Sequence, residues 1–318
     1  MSIDFTVAIP TYNGAIRLPK VLDKLRSQTG TEQISWEVIV IDNNSTDETA
    51  KVVKEYQLNW SSAFPLRYTF ETEQGLAFAR RRAVQEARGN FIGFLDDDNV
   101  PVSDWVSAAY KFGQDYPKAG AFSGQIHGEF EVEPPEEFKK IQAFLAIREH
   151  GSKPHLFEPQ NLRLPPGAGL VIRKQAWCES VPNWSILTGR VGKSLVAGED
   201  YEVLLHLYKA GWEIWYNPQM HIAHQIPCQR LEREYLLHLA RGTGLATCQL
   251  RMINAKGWQK PIIFARTLLG NSRRLIVHFL KYRQKIETDL ITAFEREFFW
   301  GSFMSPFYFL QKSRGNKK

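Results

Sequence analysis

Four short, β-branched apolar runs fall in the first hundred residues, and the segments between them carry helical periodicity. The runs are IDFTVAI (3 to 9), WEVIVI (36 to 41), LRYTF (66 to 70) and FIGFL (91 to 95). Runs this short, apolar throughout and ended by turn-forming polar residues, predict buried parallel strands. Between the first two, Leu18, Val21, Leu22 and Leu25 share one face of a helix expected over about 17–28. A second helix is expected from Ser45, where STDE offers an N-cap hydroxyl and an acidic first turn, and a third, rich in Ala and Arg, over 76–87. The alternation βαβαβαβ predicts an α/β chain: a doubly wound, mostly parallel sheet with helices on both faces.

In such sheets ligands bind beyond the carboxyl ends of the strands. Three of those ends here carry unusual polar loops, PTYNG, DNNSTD and DDDN, so one crevice is expected to receive all three. The third loop is the most demanding, because Asp96, Asp97 and Asp98 are adjacent. Neighbouring carboxylates repel unless a cation or hydrogen-bond donors offset them. Carboxylate oxygens suit Mg²⁺ or Mn²⁺, which take phosphate oxygens among their other ligands. A metal with a diphosphate is the expected occupant; the plainer reading makes Asp98, Asn99 or Ser103 simple helix caps.

Other nucleotide and nucleophile motifs are missing. No G-x-G-x-x-G follows the first strand, and GAGLVI (167 to 172) lacks the third Gly and leads into a strand. GRVGKS (189 to 194) lacks the Gly that a phosphate loop needs at 187, where Leu stands, and reads as a solvated loop. No G-x-S-x-G is present.

The elements VAIPTYNG, VIVIDNNSTDET, GLAFARRRAVQEARGNFIGFLDDDN and GEDYEVLLHLYKAGWEI, in this order and spacing, resemble the nucleotide-sugar-dependent glycosyltransferases of family 2, which have the GT-A fold. The resemblance covers roughly residues 3 to 225. It implies that Pro10, Tyr12, Asn13 and Asp42, with Asn44 nearby, hold the nucleoside. A carboxylate accepting from a base imide or a ribose hydroxyl, and a Tyr ring offering a stacking face, agree with that. Asp47 in the same loop reads better as a helix cap. Arg80 matches the family's A-R-N element and is a candidate phosphate contact, whereas Arg81 departs from the usual Asn; Gly75 would let the loop backbone approach the ligand.

The aspartates match the family's D-x-D element. By resemblance Asp98 is the direct metal ligand, Asp96 contacts ribose or reaches the metal through water, and Asp97 adds to the nucleotide site. His224 supplies a further ligand for Mn²⁺ or Mg²⁺, with His221 a weaker rival. Asp200 of GED matches the general base of inverting members, with Glu199 in support; an acidic helix start is the alternative. Gly167 and Gly169 are expected on the acceptor side.

The implied activity is transfer of one sugar from a nucleotide-diphosphate sugar, a UDP-sugar favoured, to a saccharide or lipid-linked acceptor in polysaccharide or glycoconjugate synthesis. The Q-x-x-R-W element of processive synthases is missing, so single addition is favoured. The rivals are a sugar nucleotidyltransferase, which would show a Gly- and Arg/Lys-rich loop after the first strand, and a catalytically silent nucleotide-binding protein of this fold. Residues 1–228 are expected to form the catalytic domain, with 1–115 its nucleotide half and 116–228 its acceptor half, and 229–318 a mainly helical extension.

That extension holds 17 Lys and Arg against 6 Asp and Glu, so it carries the chain's excess positive charge. Residues 261–285 interleave apolar residues at helical spacing with Arg266, Arg273, Arg274, Lys281, Arg283 and Lys285, a pattern that fits either an anionic membrane surface or ordinary packing. The aromatic run 298–310 is too short to span and is expected to be broken by Pro306. No nucleic-acid motif accompanies the charge, and nucleic acid is not an expected partner. The sequence leaves the oligomeric state open. Cys178, Cys228 and Cys248 form no C-x-x-C pair and suggest a reducing compartment. With no signal-peptide pattern and no spanning run, a cytoplasmic location is expected, with peripheral attachment to the inner face of the membrane as the variant.

Overall fold

The computed structural model describes residues 3–182, 187, 189, 195, 196 and 198–315. The chain forms two compact units, one of Met1–Glu129, Ala146–Pro182 and Leu207–Gln225, the other of Phe130–Leu145, Asn183–His206 and Ile226–Lys318. Residues 190–194 of GRVGKS lie outside the described residues.

The first unit is built on the four runs read from the sequence. β1 (Ile3–Thr11), β2 (Trp36–Asp42), β3 (Leu66–Phe70) and β4 (Gly89–Phe94) pair in parallel in the order β3-β2-β1-β4, with Val7 opposite Val38 and Phe5 opposite Phe91. α1 (Leu18–Arg26) turns Leu18, Val21, Leu22 and Leu25 inward, the stripe that its spacing predicts. These side chains join Phe5, Val7, Ile9 and Phe91 in one core. Trp105, at the start of α4 (Trp105–Asp115), meets Phe5 edge-on, with ring centroids 6.0 Å apart. Two further helices, α2 (Thr49–Leu58) and α3 (Leu76–Glu86), complete the expected alternation.

α2 begins four residues later than expected. The Ser45 hydroxyl is not a cap but accepts from the Asn13 amide at 2.9 Å, and the Asp47 carboxylate instead accepts from the Thr49 amide at 3.0 Å. Tertiary demand for Ser45 thus overrides its local capping preference.

Beyond β4 the sheet changes character. β8 (Val171–Arg173) pairs antiparallel with β4 and with β6 (Ala119–Phe130), and β5 (Asn99–Pro101) pairs antiparallel with β9 (Glu213–Ile226), against which β7 (His155–Leu156) also lies. The sheet order is β3-β2-β1-β4-β8-β6-β9-β5, so the expected mostly parallel sheet is parallel as far as β4 and mixed as a whole. β5 has three residues and finds its partner more than a hundred positions later, a pairing that no local pattern encodes. α5 (Lys174–Ser180) follows β8, as the strand-then-helix reading requires.

The second unit is mainly helical. It contains the start of α6 (Glu199–Lys209), then α7 (Arg233–Ile253), α8 (Lys260–Tyr282) and α9 (Leu290–Gly315). α7 and α9 come together closely enough that a Cβ added to Gly301 would lie 2.2 Å from the Arg241 carbonyl oxygen. The Arg241 guanidinium donates to Glu297 at 2.7 Å across the same contact. Among the described residues no helix is long and apolar enough to cross a membrane.

Pro306 does not break its segment, contrary to expectation: α9 runs through it. A proline removes the N–H that would serve the carbonyl four residues earlier. Here the buried Ser305 hydroxyl donates to the Ser302 carbonyl at 2.7 Å and replaces the missing donor. Ser305→Ala should therefore strand a buried carbonyl and cost about 1–3 kcal/mol, read as a lower midpoint in urea unfolding. An unchanged midpoint would show that the helix tolerates Pro306 by other means.

Candidate active site

The ends of β1 and β2 are tied into one structure by their own backbone. Asn13 and Asn44 take left-handed conformations, with φ of 49° and 64°, which Asn tolerates better than most residues. The Asn13 side chain accepts from the Thr46 amide at 2.8 Å, the Gly14 amide donates to the Thr49 hydroxyl at 2.9 Å and the Ala15 amide to Asp47 at 3.1 Å. Burial works to raise the Asp47 carboxyl, but the Thr49 hydroxyl and the backbone amides of Ala15 and Thr49 outweigh it and hold the group below its ordinary range.

Pro10 lies within β1 opposite Ile41, and the Tyr12 ring beyond it is 44% exposed. Asp42 is buried and accepts from the Ser45 amide at 2.9 Å through one oxygen and from the Tyr68 hydroxyl at 2.7 Å through the other. Burial, and then the Asp42 carboxylate itself, push the Tyr68 hydroxyl well above its ordinary value. Each Asp42 oxygen keeps a second lone pair with which to accept. Gly75, with φ of 144°, donates its amide at 2.7 Å to Asn43, whose side chain in turn donates to the Glu73 carbonyl at 2.7 Å.

The three aspartates that repel one another along the chain point to three different partners. Asp97 turns inward: Arg17 donates to its two oxygens at 2.8 and 2.9 Å, and the Thr11 hydroxyl donates at 2.6 Å. A Cβ on Gly14 would stand 2.0 Å from the Thr11 hydroxyl and 2.6 Å from Asp97, so the knot requires glycine there. Asp96 faces Arg80, at 3.5 Å, and Arg80 is itself buried with its guanidinium 5.7 Å from the centre of the Phe94 ring. Asp98 accepts from the Asn99 side chain at 2.9 Å, and its other oxygen lies 3.6 Å from His224 Nε2.

The antiparallel register that sets Asn99 opposite His224, with the Gln225 amide donating to the Asp98 carbonyl at 2.9 Å, places this last pair. Both of its side chains are 8% exposed.

Electrostatics follow the partners. Burial raises the Asp96 carboxyl first of all; Arg80 and His224 pull it down, while Asp98 and Asp97 push it up. Burial likewise raises Asp97, against the pull of Arg17, and the hydrogen bond to Asp97 raises Arg17. The cluster thus remains under anionic stress even with Arg17 and Arg80 in place, and a further cation would relieve it.

Asp97 was expected among the nucleotide contacts; the structure engages both its oxygens with Arg17 and Thr11. Arg17→Ala should leave it buried beside two other acids. The cost is about 1–3 kcal/mol, below that of breaking a fully buried pair because Arg17 is 42% exposed. Thermal unfolding without divalent ions measures it, and an unchanged midpoint would mean that solvent already compensates Asp97.

Beside Arg80 on α3, Arg82 pairs with Glu86 at 3.0 Å and Arg81 lies over the Phe78 ring. His221 is not brought to Asp98: its ring meets His127 at 3.0 Å, and His127 meets Glu149 at 2.7 Å. Gly169 has φ of 66°, and the Leu170 carbonyl just after it accepts from the Phe94 amide at 2.8 Å, so the Gly167–Gly169 turn is joined to the strand that delivers the aspartates. In the second unit, Glu199 and Asp200 open α6; Glu199 is buried and accepts from the Gly198 amide at 3.0 Å, while Asp200 is half-buried.

Asp98 and His224 bring one carboxylate oxygen and one imidazole nitrogen to a common point, a donor set that fits a divalent ion able to use both. Among the described residues no group of three or more His, Cys, Asp or Glu side chains converges as a complete ligand set. Among the described residues the protein side of such a site would be this pair, with room for ligands from elsewhere.

Arg17, Thr11, Asn43 and Tyr68 are the site residues that the sequence reading passed over. One signal for Arg17 was available: three adjacent acids need a cation, and Arg17 stands in the polar loop after β1.

Comparison with known proteins bears on the family and the fold. Residues 6–175 match the family model described as Glycosyl transferase family 2. An uncharacterized glycosyltransferase of Bacillus subtilis, YfnE, is 32% identical over 144 residues, 43% of this chain and 35% of that protein. The chain thus spans about a third or less of the length of the first curated relatives it matches. Among solved structures, the mannosyltransferase PcManGT from Pyrobaculum calidifontis, in complex with GDP-Man and Mn²⁺, aligns with a TM-score of 0.60 at 17% identity, covering 96% of this chain and 88% of that one. S. aureus TarS 1-349 in complex with UDP aligns with a TM-score of 0.53 at 15% identity, covering 97% and 92%. At these identities the likeness shows the fold, a GT-A sheet with a helical C-terminal region.

Proposed function

Because the chain belongs to glycosyl transferase family 2, we propose that it transfers a single sugar from a nucleotide-diphosphate sugar to a saccharide or lipid-linked acceptor, inverting the anomeric carbon, in polysaccharide or glycoconjugate synthesis. The observation that carries this reading is the buried Asp98–His224 pair, 3.6 Å apart, beside an acidic cluster that Arg17 and Arg80 only partly compensate. Such a pair is costly in an empty fold and useful beside a cation and a diphosphate.

Tyr12 offers a ring face to the base, and Asp42 offers its remaining lone pairs to a base imide or ribose hydroxyl. Asn13 and Asn44 hold the loop that presents these groups, Pro10 fixes its start, and Gly75 and Arg80 approach the phosphates or ribose together with Asp96. Asp98 and His224 would hold the divalent ion. The imidazole nitrogen favours Mn²⁺ over Mg²⁺, which prefers an all-oxygen shell. When bound, the ion offsets the charge that develops on the departing nucleoside diphosphate.

Asp200 takes the proton from the acceptor hydroxyl as its oxygen bonds to the anomeric carbon, while the electron pair of the broken C–O bond leaves with the diphosphate. Glu199 supports that helix end, and Gly167 and Gly169 shape the acceptor side. UDP-sugars are the favoured donors. The TarS structures hold UDP and UDP-GlcNAc, while PcManGT holds GDP-Man and Mn²⁺, so both bases belong in the test. Action at a membrane surface through residues 261–310 is part of the same reading.

A panel of UDP- and GDP-sugars, incubated with the purified chain with Mn²⁺ or with EDTA, tests this reading. Hydrolysis of one donor that depends on the ion is expected. Failure to turn over or bind any donor with any divalent ion would leave a silent protein of this fold.

A further inference from the structure

α8 buries polar side chains and exposes a line of apolar ones. Its buried side carries Thr267, Asn271 and His278, at 1%, 2% and 5% exposure, while Ile262, Leu269, Ile276 and Leu280 stand outward at 46%, 72%, 60% and 76%. The Thr267 hydroxyl and the Asn271 side-chain oxygen are buried without a hydrogen-bond partner. The four outward residues are seven, seven and four positions apart, so they form one line along the helix. A helix exposed to water on its outer side carries the opposite arrangement. Trp258 and Phe279, at 68% and 52% exposure, extend the apolar surface.

The charge around this line selects what covers it. Arg266 and Arg273 fall on the same outward line, and from residue 235 to residue 286 the chain has ten Lys and Arg and no Asp or Glu. A symmetric contact with a second copy would set these arginine rows against each other with no acid in the segment to pair them. An anionic surface pairs them all. The 23-residue helix is not apolar enough to cross a bilayer, but its apolar line and basic flanks suit lying in the plane of one, with the arginines reaching out to phosphate groups.

We propose that α8 docks on an anionic phospholipid surface, with Ile262, Leu269, Ile276 and Leu280 among the acyl chains and Arg266 and Arg273 at the headgroup phosphates. The full chain should sediment with vesicles of equal parts phosphatidylcholine and phosphatidylglycerol, more weakly as salt rises, and not with phosphatidylcholine alone. Leu269→Asp with Leu280→Asp, and separately Arg266→Glu with Arg273→Glu, should each weaken that binding by about tenfold or more. All four are exposed and none is among the donor residues, so both variants should keep the wild-type melting temperature and donor hydrolysis in solution. Loss of hydrolysis in the wild type would strike at the proposed activity and leave the docking surface standing. The docking proposal is overturned by absence of sedimentation with the anionic vesicles, by equal binding of both variants, or by a concentration-dependent dimer that Leu269→Asp dissolves.

Discussion

Asp98→Asn should reduce metal-supported binding of UDP or GDP by about a hundredfold or more, a loss at least as large as that from disturbing the groups that orient a metal ligand. Asn keeps the shape of the side chain and still accepts through Oδ1 from Asn99, so the local turn survives. What disappears is the charge of the carboxylate that lies 3.6 Å from His224. Because the substitution also removes one of three crowded negative charges, the ion-free protein should be no less stable than the wild type. This separates a binding defect from a folding defect. Calorimetry with nucleoside diphosphate and Mn²⁺ reads the affinity, and wild-type affinity in the variant would sink the metal assignment. His224→Ala should weaken binding less, since water can take the place of a neutral nitrogen ligand.

Asp200→Asn should leave donor binding intact and slow transfer by about 10²–10⁴-fold, the contribution expected of a positioned general base. The alternative is that the acidic start of α6 merely complements the helix dipole. The neighbouring acids serve as a reference for the test. The Glu202 carboxylate is buried and accepts from the Leu187 amide at 2.9 Å, and Glu199 accepts from the Gly198 amide, so both have structural work within their own unit. Glu202→Gln should accordingly lower the melting temperature and leave the pH profile of transfer unchanged. Asp200→Asn, which keeps the shape of the side chain and one accepting oxygen, should keep the melting temperature and remove the acidic limb of that profile. A parallel fall of stability and rate in Asp200→Asn would reduce the residue to a helix cap.

The parts of this molecule that could be read from the sequence are those written in local periodicity. β1 to β4 and α1 announce themselves because a buried parallel strand is apolar on both faces and a packed helix repeats its apolar residues at three and four. The aspartates were legible as a problem, since adjacent like charges demand compensation whatever the fold. Their solution was not legible, because Arg17 and Asp97 are 80 positions apart and Asp98 meets His224 only through the register of β5 on β9. Ser45 and Pro306 misled for a related reason. Each was read by its usual local role, as a cap and as a breaker, but a tertiary partner claimed Ser45, and the Ser305 hydroxyl covered the carbonyl that Pro306 could not serve.

The Arg17–Asp97 knot also restricts how this loop can drift. Losing Arg17 alone leaves the buried Asp97 without its cation, whereas Arg17, 42% exposed, can turn to water when Asp97 goes. The step at Arg17 is therefore steep unless Asp97 has changed first, so related chains that lack the arginine should lack the aspartate as well.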